Sequence, residues 1–175
     1  MQTSLPVAPR PRRPEWMKVR APSADSRYFE VRELLHGLIE VALSDLRGQR
    51  LELPGGVTIV NDCYNANPMS MRAALDDLAA AAPGRKVAVL GDMLELGPDE
   101  ERFHREIGHL ADALGIDILV TVGELALPYA DAFGGDLHQV GDAEEAGALL
   151  EEIAMPGDRV LVKGSRSVGL EKVLA

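Results

Sequence analysis

From residue 57 to the C-terminus, short β-branched runs alternate with longer stretches of helical apolar spacing, and this alternation most constrains the fold. Val57–Val60, Lys86–Leu90, Ile116–Val122, Leu137–Val140 and Arg159–Val162 each read as a buried strand. Between them lie helical patterns from Pro68 to about Ala82, from Pro98 through Leu114, around Glu124–Phe133, over Ala143–Ala154 and from Ser167 to Leu174. Strands and helices in strict turn at this spacing predict an α/β chain: a mostly parallel sheet of about six strands with helices on both faces. Arg50–Leu53, Pro54-Gly55-Gly56 and Val57–Val60 add a hairpin at its start.

Right-handed crossovers place every strand-to-helix loop on one edge of such a sheet. The loops on that edge begin with Asp62, Asp92, Gly123, Asp142 and Lys163, whereas the opposite loops hold only turn residues such as Pro83-Gly84 and Met155-Pro156-Gly157. One edge therefore reads as a working surface. Its most polar loop is Asp62-Cys63-Tyr64-Asn65-Ala66-Asn67, with Asn67 placed to cap the helix that Pro68 opens. A carboxylate at a strand end suits paired hydroxyls, as on a ribose, and amides suit a base edge or a peptide. Lys163-Gly164-Ser165-Arg166-Ser167 sets two cations and two hydroxyls at a helix start, which suits a carboxylate or phosphate. Asp92 and Glu95 flank Met93-Leu94 and are general-base or ligand candidates, or solvated turn acids.

Charge and composition exclude several classes. The 175 residues carry a net charge of −10, which disfavours nucleic acid and anionic membrane as partners. Residues 1–30 hold six Lys/Arg against three Asp/Glu, a local +3 that leaves −13 for the rest of the −10 total. Five of the eleven prolines fall in residues 1–28 without apolar period, so 1–29 reads as an extended, disordered arm. Residues 30–49 read as a helix, with Val31, Leu34, Leu35, Leu38 and Ile39 on one face, and a linker; 50–175 form the folded domain. A single cysteine, Cys63, fits a reducing compartment, and without an apolar run or leader the expectation is a cytoplasmic protein. Cys63 and His104 read as packed residues, and no histidine spacing suggests zinc. Gly-x-x-x-x-Gly-Lys-Ser/Thr, Gly-x-Gly-x-x-Gly and Gly-x-Ser-x-Gly do not occur, which argues against a P-loop, a classical dinucleotide site and an α/β-hydrolase within these residues.

Several blocks in one order carry a resemblance. Asp62-Cys63-Tyr64-Asn65-Ala66-Asn67-Pro68-Met69-Ser70-Met71 is followed by Gly91-Asp92-Met93-Leu94-Glu95-Leu96-Gly97, His104, Gly108 and Val122-Gly123. Val162-Lys163-Gly164-Ser165-Arg166-Ser167 and Glu171 close the series. Residues 50–175 thereby resemble the C-terminal domain of the Mur ligases, in the branch that adds D-alanyl-D-alanine to UDP-N-acetylmuramoyl-tripeptide in peptidoglycan synthesis. The resemblance implies a Rossmann-like fold for this domain, and an amide-forming ligase that uses ATP and Mg²⁺, both held mainly by a central domain. It implies nucleotide contacts from Asp62, from Arg50 (Arg47 is the fallback) and from the segment with Tyr64, Asn65 and Asn67. It implies that Asp92, Glu95, Lys163, Ser165 and Arg166 face the incoming dipeptide. The central and N-terminal domains have no counterpart in these residues, so the resemblance implies no catalytic residue within this chain alone. The chain reads as an excised domain, a truncated product or a subunit needing those domains as partners.

Two other classes stay open at this level. One is a stand-alone, non-catalytic ligand-binding module that keeps the fold. The other is a receiver-like domain with Asp92 as phospho-acceptor and Lys163 at the last strand, although Asn61 stands where a second acid would be needed beside Asp62.

Overall fold

A computed structural model describes residues 48–53 and 55–174. The arm over 1–29, the helical pattern over 31–43, Arg47 and Pro54 of the turn lie outside the described residues. Six strands form one sheet: β1 (Gln49–Glu52), β2 (Thr58–Asp62), β3 (Lys86–Gly91), β4 (Ile118–Val122), β5 (Asp136–Val140) and β6 (Arg159–Lys163). Their order is β1-β2-β6-β3-β4-β5. Only β1–β2 is antiparallel; the other four pairings are parallel. The hairpin closes through Leu53 N–H to Val57 O at 2.8 Å and Gly56 N–H to Leu53 O at 3.1 Å.

Among the described residues three α-helices cover the sheet: α1 (Pro68–Ala80), α2 (Glu100–Ala113) and α3 (Ala143–Ile153). Period-two alternation sorts the strand residues between two apolar cores. Val87, Val89, Val120, Val122, Val160 and Val162 face α3 and its partners. Ala88, Leu90, Leu119 and Leu161 face the opposite way, toward Met71, Leu75 and Leu78 of α1 and Ile107 and Ala111 of α2. Strands buried on both faces must be apolar at every position, which is why these runs read as continuous.

The helix starts follow local chemistry. Asn67 caps α1: its side chain accepts from Ser70 N–H at 2.9 Å, while Ser70 Oγ accepts from Asn67 N–H at 3.1 Å. Asp142 caps α3 by accepting from Glu145 N–H at 2.9 Å. Glu100 and Glu101 occupy the first turn of α2, where the helix dipole favours acids. Two expected helices are 3₁₀ segments instead, Leu127–Ala132 and Leu170–Leu174. Pro128 near the start of the first, and Gly169 with φ 70° ahead of the second, limit both to short turns. The strand expected from Ile116 begins at Ile118, because Ile116 and Asp117 are spent on the turn from α2.

Gly108 explains itself through packing. It lies inside α2, where alanine ordinarily stabilises by about 1 kcal/mol. Yet a Cβ there would stand 2.0 Å from the Tyr129 carbonyl oxygen. The helix and the 127–132 segment touch backbone to backbone at this point. Gly108→Ala is therefore expected to destabilise the chain by about 2 kcal/mol, against its helix propensity. Urea denaturation checks this, and a stabilised variant would show that the two segments separate easily.

Candidate functional site

Parallel register brings three strand exits to one level. Asp62, the last residue of β2, pairs with Lys163, the last of β6, and Lys163 pairs on its other side with Leu90 of β3. The loops after these strands therefore share a rim, as the crossover rule requires.

Lys163 is 1 % exposed. Its ammonium donates to Asp62 Oδ2 at 2.6 Å and to the Asn65 carbonyl at 2.9 Å. It is thus an internal cation and not the exposed one that its sequence context suggested. Asp62 is a quarter exposed on its side chain. It borders a groove of about 600 Å³ that also holds Arg50, Ser70, Ala74 and Asp77. On its other side it lines a cleft of about 270 Å³ with Tyr64, Asn65, Asn67 and Ser70. Arg50 is exposed and bonds Glu52 through Nε at 3.2 Å. Asn65 Oδ1 accepts from the N–H of the next residue, Ala66, at 2.8 Å. Asn67 uses its side-chain oxygen as the α1 cap.

A second cleft of about 530 Å³ joins Asn65 to Leu94, Glu95, Ser165, Arg166 and Ser167. Glu95 has φ 62°, a left-handed conformation that costs a non-glycine residue energy and gathers at functional loops. The Arg166 guanidinium stands over the Tyr64 ring at 5.5 Å. Ser165 is nearly buried: its Oγ accepts from Leu94 N–H at 3.0 Å, and its N–H donates to Asp92 O at 2.9 Å.

Asp92 faces a third cleft of about 420 Å³, with Gly123, Glu124, Asp142 and Ser167. The sequence therefore anticipated one rim, but the structure divides it. Arg50, Asp62, Tyr64, Asn65 and Asn67 are brought together, as are Glu95, Ser165 and Arg166, while Asp92 opens on a neighbouring cleft. Lys163 lies beneath the first group. Gly123, with φ 103°, keeps the Asp92 cleft open, since a Cβ there would meet an Asp92 oxygen at 2.6 Å.

The nearby histidine is internal. His104 is fully buried; its Nε2 accepts from Met93 N–H at 2.9 Å and its Nδ1 lies 2.8 Å from Glu100 O. Only the neutral ring with its proton on Nδ1 satisfies both. The ring packs against Tyr129, whose hydroxyl donates to Gly91 O at 3.0 Å. Tyr129 thus steadies the start of the Asp92 loop. It went unnoticed in the sequence because a tyrosine in a short apolar stretch carries no sign of its partner 38 residues away. Lys163 makes no bond to Asp92, so the acid–lysine pairing of a receiver-like domain is not formed. Among the described residues no three His, Cys, Asp or Glu are placed to hold a metal, and no helix is long and apolar enough to cross a membrane.

Known proteins share this fold. Residues 46–166 match the family model for the Mur ligase, glutamate ligase domain. The chain belongs to the Mur ligase family. It is 34% identical over 168 residues to the UDP-N-acetylmuramoyl-tripeptide–D-alanyl-D-alanine ligase of Bacillus subtilis, covering 90% of this chain and 36% of that one. It is 40% identical over 136 residues to the ligase of the same name from Mycobacterium leprae, covering 66% and 26%. The MurF ligase of Thermotoga maritima, solved in complex with ADP, superposes with a TM-score of 0.64 at 32% identity, over 79% of this chain and 32% of that one. This Mur ligase domain thus spans about a third of the length of these relatives.

Two titrating groups yield tests. Burial first, then the Glu171 and Asp62 carboxylates, push the Cys63 thiol up to about 12. Cys63 is therefore expected to resist iodoacetamide at pH 8 in the folded chain and to react once denatured; mass spectrometry reads the outcome. Burial, with the Glu100 carboxylate beside it, also raises the Asp92 carboxyl above its ordinary value, opposed by N–H groups of Ala126 and Leu125. A raised carboxyl pKa means the folded state holds this proton more tightly than the unfolded chain. Its contribution to stability is then greatest in acid and falls as pH rises through the folded value. Asp92→Asn is expected to melt a few degrees above the parent at pH 7, with the gap closing below about pH 4. A lower Tm at pH 7 would mean that the backbone hydrogen bonds outweigh desolvation.

Proposed function

We propose that this chain supplies the nucleotide-closing and dipeptide-facing part of an ATP-dependent, amide-forming ligase. The reaction joins D-alanyl-D-alanine to UDP-N-acetylmuramoyl-tripeptide in peptidoglycan synthesis, in the cytoplasm. In the chemistry proposed, ATP phosphorylates the tripeptide carboxylate; the dipeptide amine then displaces phosphate, forming the amide and leaving ADP and phosphate. The reading is carried by one arrangement: Asp62 stands between the groove that holds Arg50 and the cleft of Tyr64, Asn65 and Asn67. A carboxylate flanked in this way suits ribose hydroxyls, with the Arg50 guanidinium placed for ribose or γ-phosphate. Family membership and the ligase names of the relatives support the reaction type.

Asp92, Glu95, Ser165 and Arg166 take the dipeptide side. Arg166 offers a fork for a carboxylate and Glu95 an acceptor for an amine. Lys163 acts from below, through Asp62. We place Mg²⁺ with the partner domains and assign no magnesium step to this chain.

The test is reconstitution. The 175-residue chain alone is expected to release no phosphate from ATP. Adding the N-terminal and central domains of a Mur ligase in trans is expected to restore amide formation from UDP-N-acetylmuramoyl-tripeptide and D-alanyl-D-alanine. In the restored system Asp62→Asn should raise the ATP KM about tenfold and leave the dipeptide KM within about twofold. ATP turnover by the chain alone would sink the reading. Ligand binding without restored ligation would favour a non-catalytic module.

A further inference from the structure

The segment Lys163–Arg166 touches both neighbouring rim loops, and each loop is held by a different residue. Toward the loop after β2, the Lys163 ammonium holds Asp62 Oδ2 at 2.6 Å and Asn65 O at 2.9 Å. Toward the loop after β3, Ser165 holds Leu94 N–H through Oγ at 3.0 Å and Asp92 O through its own N–H at 2.9 Å. Both side chains are at least nine-tenths buried. Each reaches the floor of a cleft, Lys163 the first and Ser165 the second, and each holds the better exposed groups beside it: Asp62 and Asn65 in the one, Leu94 and Glu95 in the other.

We infer that Lys163 and Ser165 are positioning residues, and that residues 163–166 form a bracket setting the nucleotide-side and dipeptide-side loops independently from one strand end. The inference rests on the reading of Asp62 as a nucleotide contact. Lys163 ties down one carboxylate oxygen of Asp62. That fixes the direction of the other, and rotational freedom lost before binding is not lost again on binding. Because the two sets of bonds are made by two different residues, each loop is released separately.

Amide hydrogen exchange on the intact chain tests this, with Ala66 and Asn67 reporting one loop and Met93 and Leu94 the other. Lys163→Met keeps the volume and removes the ammonium. It is expected to speed exchange at Ala66 and Asn67 at least tenfold while Met93 and Leu94 change less than twofold. Ser165→Ala is expected to do the reverse. Should Lys163→Met fail to fold, Asp62→Asn carries that arm and is expected to release the same loop and spare the other. Loosening of both loops together in each single variant, or of neither, overturns the bracket, because a lysine or serine that merely fills the core has no loop preference.

Titration with ADP, followed by amide chemical shifts, supplies the second readout. Shifts at Cys63–Asn67 in the parent should need about tenfold more ADP in Lys163→Met and unchanged ADP in Ser165→Ala. Equal titration of parent and Lys163→Met overturns the positioning role. Absence of any ADP shift at this loop in the parent counts against Asp62 as a nucleotide contact, and the exchange result then decides the bracket by itself.

Discussion

The insertion of β6 between β2 and β3 is the constraint from which the rest follows. The chain leaves β2, passes along α1 and returns as β3 one strand away, leaving a vacancy that β6 fills from the far end of the sequence. α1 and α2 pack on one face and α3 on the other, so the two directions of winding use opposite faces. In open parallel sheets the place where strand order reverses is where loops part and ligands enter. Here the parting is occupied by a strand whose exit carries Lys163, Gly164, Ser165 and Arg166. The rim's chemistry is thus a consequence of topology: the last strand is delivered into the middle, with a loop from an earlier strand on either side.

Burying a lysine among apolar strands is not a way to gain stability. Desolvation of an ammonium costs several kcal/mol, and an ion pair in such a place often does no better than an apolar replacement of similar volume. The Asp62–Lys163 contact is a quarter exposed on the acid's side, which softens the cost without removing it. What the pair does supply is direction. An ammonium held by a carboxylate and a carbonyl fixes both acceptors relative to β6, to within the narrow range that hydrogen bonds tolerate. By contrast, Asp158 with Arg85 shows a purely architectural pair. Asp158 is buried at the opposite edge, takes two bonds from the guanidinium at 3.1 and 2.7 Å, and also accepts from Met155 N–H. It closes the turn into β6 and borders none of the three clefts on the rim.

Local and periodic features were legible in advance. The strands were visible because both faces of the sheet are covered, and the cap of α1 because Asn67 precedes Pro68 and helical spacing. The common rim was legible because handedness leaves no other choice. What could not be read were contacts between residues far apart in sequence. Lys163 followed by Gly-Ser-Arg-Ser looks like an anion site, since nothing nearby shows that an acid 101 residues earlier will claim it. Ser165 looks like a ligand hydroxyl for the same reason. Segments 127–132 and 170–174 have helical spacing, yet each is too short to nucleate a full α-helix.

The two rim carboxylates now have distinct physical characters. Asp92 has lost solvent without gaining a bonded cation, so its charge is costly. Asp62 has a cation at 2.6 Å and keeps a solvent-facing side. That difference bears on the charge problem of the whole body, where residues 31–175 carry −13 of the −10 total against +3 in the first 30. A polyphosphate approaching a bare carboxylate on such a surface would be repelled over about one Debye length. Pairing Asp62 with Lys163 leaves a local charge near zero while preserving the carboxylate's capacity to accept hydroxyl hydrogens. For the nucleotide proposed here, the buried ammonium is therefore what makes an acid usable beside phosphates. An arginine or lysine placed in the open cleft would have attracted the phosphates equally well, but could not have accepted a hydroxyl.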